Sequence, residues 1–257
     1  MAVNFYPASY RAVEQLPLFD RGQVNYTQFA PVSDLQSGAA AWAKQRGLSY
    51  DAEGPMNARA VGGFGHRVFK EHQAALGREP SSDLMKSYET LRSEVGEQYQ
   101  YLTSPREHGG LGVNVEVTDE DPYDGPDAMR QDFEQNRRLK VMSTATTGGH
   151  GFFTNAQNDQ FRAVHDAFGH LAIGRNFSRD GEEGAYRSHA QMFTPGARMA
   201  LASETRGQNS YLNWGGGDFP DNKPVELPGW ATDIDLQPPA IPKPTARPQG
   251  EQLKLPL

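Results

Sequence analysis

The sequence predicts a predominantly α-helical α+β fold with a small sheet and extended arms at both ends, on three observations. Between residues 34 and 214 apolar residues recur at helical spacing; two short segments around one helix alternate like strands; and both termini lack a sustained apolar period. The expected division is an arm over 1–33, a domain over 34–214 and an extended tail over 215–257, which holds nine of the 18 prolines.

Residues 1–33 mix aromatics, prolines and polar residues without period, an extended arm with at most one short helical turn. Alanine-rich Ser37 to Arg46 predicts a helix, as does Met56 to Leu76, interrupted by Gly62-Gly63-Phe64-Gly65. From Ser81 to Leu102 the residues Leu84, Tyr88, Leu91, Val95, Tyr99 and Leu102 form one apolar stripe opposite Lys86, Glu89, Arg92, Glu94 and Glu97, a core-facing helix. Val113, Val115 and Val117 alternate with polar neighbours and predict a strand ended by Asp119-Glu120-Asp121-Pro122. Pro126 and Asp127 suit a helix start running to about Arg138, and Leu139 to Ser143 predicts a second strand. After the glycine-rich loop 148–151, Asn158 or Asp159 is the expected cap of the next helix and Gly174 its stop. Glu182 to Phe193 and Pro195 to Arg206 predict two further helices, broken at Thr194-Pro195.

A chain of 257 residues is long enough to bury roughly 70–75% of its unfolded surface without covalent staples. The apolar fraction of 37% and mean hydropathy of -0.70 are low for uniform packing, in keeping with extended ends. With no cysteine, disulfides, thiolate-bound zinc, iron–sulfur clusters and thiol nucleophiles are excluded, so any metal must be held by His, Asp and Glu. The net charge of -7, without a basic block, gives no large footprint for double-stranded nucleic acid, although a nucleobase substrate stays open. No run reaches the ~20 apolar residues of a membrane span. Met1-Ala-Val-Asn-Phe-Tyr-Pro lacks the regions of a secretory signal, so the expectation is a soluble cytoplasmic protein with no membrane partner.

The chemistry concentrates in Phe161-Arg-Ala-Val-His165-Asp166-Ala-Phe-Gly169-His170. On a regular helix residues i and i+4 lie about 40° apart but i and i+5 about 140° apart, so the two imidazoles cannot chelate unless the helix bends. Gly169 is the natural place for a π-type bulge that swings His170 back towards His165. A third ligand is needed. Glu182 and Glu183 lie at a predicted helix start, where the dipole alone accounts for a carboxylate at about 0.3–1 kcal/mol. Glu204 lies near a helix C-terminus and needs another stabiliser, Arg206 or a cation, which favours Glu204 as the ligand. Asp166 is expected to hold an imidazole N–H, and Arg206, Gln208 and Asn209 to orient substrate or to satisfy buried backbone. His189 is a spare ligand or base, whereas His66, His72 and His108 are read as ordinary core or surface histidines.

The run His165-Asp-Ala-Phe-Gly-His170 resembles the H-E-x-x-G-H signature of the iron- and pterin-dependent aromatic amino-acid hydroxylases, in which both histidines and a later glutamate bind iron. That resemblance implies His165, His170 and Glu204 as a facial triad with positions open for water, dioxygen or substrate, and hence an oxygenase. The chain departs from the family at Asp166, in its lead-in Asn158-Asp-Gln-Phe-Arg162 and in lacking a proline after the second histidine. Those departures weigh against carrying over the pterin and the aromatic amino-acid substrate. From Phe161 to Asn209 the pattern is also similar to uncharacterised bacteriophage-encoded proteins, which would place it in the host cytoplasm and names no activity.

The expected function is therefore a mononuclear non-haem metal enzyme, Fe(II) ahead of Zn or Mn, acting oxidatively on a small molecule or nucleobase. Zinc or manganese would point to hydrolysis instead. Two alternatives stand beside it. The His165-Asp166 pair is similar to HD-type metal-dependent phosphohydrolases, with His150 as an earlier ligand and Asp180 as a later one. The other is a non-catalytic phage accessory protein with a structural metal site, whose arms bind a protein partner. Gly62-Gly-Phe-Gly65 and Gly215-Gly-Gly217 lack the lysine and context of a phosphate loop and are read as turns, and Trp214 and Trp230 as packing residues.

Overall fold

A computed structural model of the protein describes residues 29–56, 58, 62–215 and 223–234. Most of the arm expected over 1–33 and much of the tail expected over 215–257 lie outside the described residues. Within them the fold is α+β and predominantly helical, with one two-stranded sheet. No helix among the described residues is long and apolar enough to cross a membrane.

Helix α1 (Ser33–Gln45) buries Leu35, Ala39, Trp42 and Ala43, and short α2 (Glu53–Met56) and then α3 (Gly62–Ala75) follow. The glycines expected to make a turn at 62–65 instead lie in the first turn of α3, where the apolar face carried by Phe64, Val68 and Phe69 outweighs their poor helix propensity. Helix α4 (Ser82–Thr103) is the central element, with its N-terminus capped by Ser81, whose Oγ accepts from the Leu84 N–H. Its stripe of Leu84, Tyr88, Leu91 and Leu102 is fully buried, so the sequence periodicity corresponds to the packed face.

Strand β1 (Asn114–Thr118) pairs in parallel with β2 (Arg138–Met142), Val115 opposite Leu139 and Val117 opposite Val141. Parallel pairing requires a crossover, supplied here by α5 (Pro126–Asn136), which has proline in its first turn as expected. Tyr123 staples the unit, donating to the Asp132 carboxylate at 3.0 Å and accepting from Lys140 N–H at 2.9 Å.

Helix α6 (Asn155–His165) starts earlier than expected. Its cap is Thr154, which forms a reciprocal capping box with Gln157, while Asn158 and Asp159 reach back to Thr144. The helix continues as a π-helical segment over Asp166–Leu171. Helix α7 (Arg179–Ala190) packs against that segment and begins at Ser178, whose Oγ accepts from the Gly181 N–H. The helix expected over 195–206 is longer and less regular: a 3₁₀ turn at Pro195–Ala197, α8 (Arg198–Ala202), a second π segment at Ser203–Gly207, and α9 (Gln208–Trp214). Part of the predicted tail is packed rather than extended. Residues 223–234 bury Val225 and Leu227, form α10 (Gly229–Thr232), and are tied down by Val225 N–H on Ser203 Oγ and Tyr186 O–H on the Thr232 carbonyl. Trp230 meets the Phe64 ring edge-on with centroids 5.8 Å apart, as a packing residue would.

Candidate metal centre

The π segment places His165 and His170 on one side of the same helical column, with ring centroids 5.1 Å apart and planes at 90°. A wider turn is what the five-residue spacing requires, because it removes the angular mismatch of a regular helix. Gly169 makes the bend compatible with packing. A Cβ there would stand 3.1 Å from the Ala185 carbonyl oxygen on α7 and 3.2 Å from the His165 Nδ1, so a larger residue would push α7 away or displace the imidazole.

The close approach of α7 brings Glu182, not Glu204, to the histidines. His165 Nε2 and His170 Nε2 stand 3.8 and 3.6 Å from Glu182 Oε2, and the three donor atoms all lie within 4.8 Å of one another. These separations are long for hydrogen bonds. Ligands ~2.1 Å from a common ion stand about 3.0–3.4 Å apart, so the two carboxylate separations would contract by a few tenths of an ångström around a metal, and the two imidazole nitrogens, which lie within 4.8 Å of each other, would draw together with them.

The protons support this. His170 Nδ1–H donates to the Arg175 carbonyl at 3.1 Å, which leaves its Nε2 facing Glu182. His165 Nδ1 faces His189 Nδ1 at 3.3 Å, so the Nε2 of His165 is again the atom turned to the carboxylate. Asn209 Nδ2–H donates to Glu182 Oε2 at 2.8 Å and orients the carboxylate. Burial alone would depress the His170 imidazole, but the carboxylates of Glu182 and Asp166 hold its pKa above the ordinary value. Burial alone would likewise raise Glu182, but His170 and His165 bring it down to about 2.

Glu204 has a separate environment. It is buried and accepts from the Tyr88 O–H, from Gln208 Nε2–H at 2.7 Å and from His150 Nε2 at 3.0 Å. His150 Nδ1 accepts from the Phe152 and Phe153 N–H groups at 3.0 Å each, so its Nε2 carries the proton that Glu204 receives. Three neutral donors stabilise this anion in place of the cation that the sequence argument demanded. Both ring nitrogens of His150 are thus engaged by protein groups, an arrangement that does not favour it as the additional ligand of a phosphohydrolase.

Arg206 is committed to structural partners, at the edge of a crevice that also touches Glu182. It is buried, donates from Nε and Nη2 to both Glu183 oxygens at 3.0 and 2.7 Å, and from Nη1 to the carbonyls of Ala231 and Asp233. Arg187 Nε shares Glu183 Oε1 at 2.7 Å. Of the two readings open for the cluster after Glu204, these contacts favour the structural one for Arg206. Gln208 serves Glu204 and Asn209 serves Glu182. Asp166 does not take an imidazole N–H, since those of His165 and His170 go to His189 and Arg175. It is half-buried beside the centre, and burial raises its pKa against the opposing pull of His170 and His165.

His189 is fully buried, and burial foremost, then its histidine neighbours, holds its pKa well below the ordinary range, so it is neutral. Of the histidines read as ordinary, His66 and His108 are exposed, whereas His72 is buried beside Tyr211 with neither ring nitrogen hydrogen-bonded among the described residues and its pKa lowered to about 4, chiefly by burial. A crevice of about 10 Å³, room for about one water molecule, reaches Glu182 between Phe64, Arg179, Arg206, Asn209, Asn213 and Trp214.

Glu182 eluded the sequence reading because its position in a first turn already had an explanation. The available signal was spacing: Glu182 and His189 are seven residues apart, within about 20° on one helix face, and that face is buried. Gly181 fixes the phase of this face, because a Cβ there would lie 1.8 Å from the Asn176 carbonyl oxygen. Gly181→Ala is expected to cost about 1–3 kcal/mol in urea unfolding, as overpacked sites do, and to weaken metal binding by displacing Glu182. An unchanged midpoint would show that α7 does not depend on that contact.

The chain matches no protein-family model, no curated protein and no solved structure.

Proposed function

We propose that this protein is a metal-dependent enzyme with a mononuclear centre on His165, His170 and Glu182, and that the resident ion is Fe(II). The observation that carries the reading is the convergence of two Nε2 atoms, whose partner nitrogens are engaged elsewhere, on one buried carboxylate. Two imidazoles and a carboxylate on one side of an ion, with the remaining positions open, form the donor set of non-haem iron oxygenases, and the class of reaction favoured is oxidation of a small molecule or nucleobase. Iron, when bound, would supply redox chemistry with dioxygen.

The protein's own residues would position and shield that centre. Asn209 holds the Glu182 carboxylate, the Arg175 carbonyl holds His170, and the π segment sets the angle between the two rings. His165 is the more exposed ring, its side chain 12% accessible against 2% for His170, so approach to the ion is favoured on the side of His165 and Asp166.

Metal analysis of the purified protein, followed by anaerobic Fe(II) titration and a dioxygen-consumption assay, tests the reading. Near-stoichiometric iron and a tight Fe(II) site are expected. Zinc in its place would redirect the proposal to hydrolysis, and absence of any tight divalent site would leave a non-catalytic protein. The affinity should also depend on pH. Proton and metal compete for the His170 Nε2 lone pair, and the raised pKa of that ring means that uptake weakens as pH falls through it. A metal affinity flat between pH 8 and about 5.5 would contradict ligation by His170, since even an ordinary imidazole titrates near 6.5.

A further inference from the structure

We infer that Gln98 is a positioning residue for the metal centre, acting through His189 to keep the His165 Nε2 lone pair turned towards the ion. The inference rests on His165 being a ligand. It adds a residue on α4, remote in sequence from the histidine motif.

The observation is a chain of buried hydrogen bonds with one consistent direction. Gln98 Nε2 lies 3.3 Å from the Met192 carbonyl, and Gln98 Oε1 lies 2.8 Å from His189 Nε2. A carbonyl only accepts, so the amide must turn its NH₂ to Met192 and its oxygen to His189. Trp42 Nε1–H donates to the same carbonyl at 3.0 Å and helps to hold it in place. His189 must then donate from Nε2, which leaves its Nδ1 as an acceptor. Among the described residues the donor facing that atom is His165 Nδ1, 3.3 Å away. With its proton on Nδ1, His165 presents a bare Nε2 to Glu182.

The opposite tautomer of His165 would set two ring lone pairs against each other, or would force His189 to turn a lone pair on the Gln98 oxygen. Gln98 and His189 are both fully buried, where an unmatched polar contact is least tolerated. The Phe161 ring lies nearly parallel to both imidazoles, with centroids 6.0 and 6.2 Å away, and limits their rotation to new partners. Gln98 touches neither the ion nor a ligand histidine and acts through His189. Its effect is to select which ring nitrogen is free, as partners of ligating histidines commonly do.

The test uses the full-length protein, metal-free and labelled with ¹⁵N-histidine, in long-range ¹H–¹⁵N correlation spectra that report which ring nitrogen carries the proton. The expected result is the Nδ1–H tautomer for His165 and the Nε2–H tautomer for His189. Gln98→Leu should lose that assignment and raise the Kd for Co²⁺ about 10–100-fold, the usual scale for such partners. In Gln98→Glu burial favours the protonated carboxyl, whose O–H replaces the amide donor on the Met192 carbonyl while its C=O accepts from His189, so this variant should preserve both tautomers and hold the Kd within about threefold of the unaltered protein, well short of that scale. An Nε2–H tautomer at His165 in the unaltered protein would overturn the inference, as would Gln98→Leu with unchanged tautomers and Kd. Co²⁺ uptake accompanied by the wrong tautomers would overturn the role of Gln98 alone. No Co²⁺ uptake by the unaltered protein would overturn the metal reading and this role together. Should Gln98→Leu fail to fold, the spectrum of the unaltered protein and the Gln98→Glu variant still decide it.

Discussion

Glu182→Gln is expected to weaken metal binding by at least about 100-fold, beyond the 10–100-fold range seen when only a ligand's supporting partner is lost, while Glu204→Gln leaves it within a few-fold. The difference follows from the surroundings of the two carboxylates. Glu182 Oε2 faces both ligand imidazoles, whereas Glu204 is occupied by Tyr88, His150 and Gln208. The substitution at 182 removes a negative charge and keeps the shape, so the fold should persist, with circular dichroism as the control. Glu204→Gln should instead lower stability, because an amide brings an NH₂ into a place where three donors converge. Calorimetric titration with Co²⁺ or anaerobic Fe(II) separates the outcomes. Metal retained in Glu182→Gln, or lost in Glu204→Gln, would return the third-ligand role to Glu204.

Arg206→Met is expected to be the most destabilising of these substitutions, at about 3–5 kcal/mol, because it breaks a buried ion pair from one side. Glu183 keeps Arg187, but the carbonyls of Ala231 and Asp233 lose their donor. For a chain of this length the loss corresponds to a fall in Tm on the order of 10 °C. Metal affinity should fall much less than in Glu182→Gln, since Arg206 contacts neither ligand histidine. A variant with unaltered Tm and impaired turnover would instead place Arg206 at the substrate.

Much of the fold was legible because its signals are local. The stripe on α4, the alternating valines of β1 and the proline opening α5 each depend on a few neighbouring residues, and each appears where expected. The bend between the histidines was legible for a different reason: a five-residue spacing has one simple geometric remedy, and the chain adopts it. What was not legible depends on partners remote in sequence. Glu182 and Glu204 are both carboxylates at helix ends, and only the packing of α7 on the π segment makes one of them a ligand. Arg206 looked available because its partners, Glu183 and the backbone near residue 231, approach only in the folded chain. Gln98 carries no motif at all, and its role depends on which atoms of Met192 and His189 it meets.

The π segment also has a consequence for how the site could have arisen. Removing one residue between His165 and His170 would return the column to an ordinary helix with the imidazoles four apart, a spacing that chelates without any bend. The wider π turn already absorbs the extra residue, i+5 there facing nearly as i+4 does on a regular helix, so everything after the deletion would keep its phase. The chain would still enter α7 in register, and Glu182 would still meet the pair. The extra residue is thus a local insertion that reshapes the turn between the two rings without disturbing the ligand delivered by the next helix. Among related sequences, a loss at this position should need no compensating change of length between residues 171 and 181.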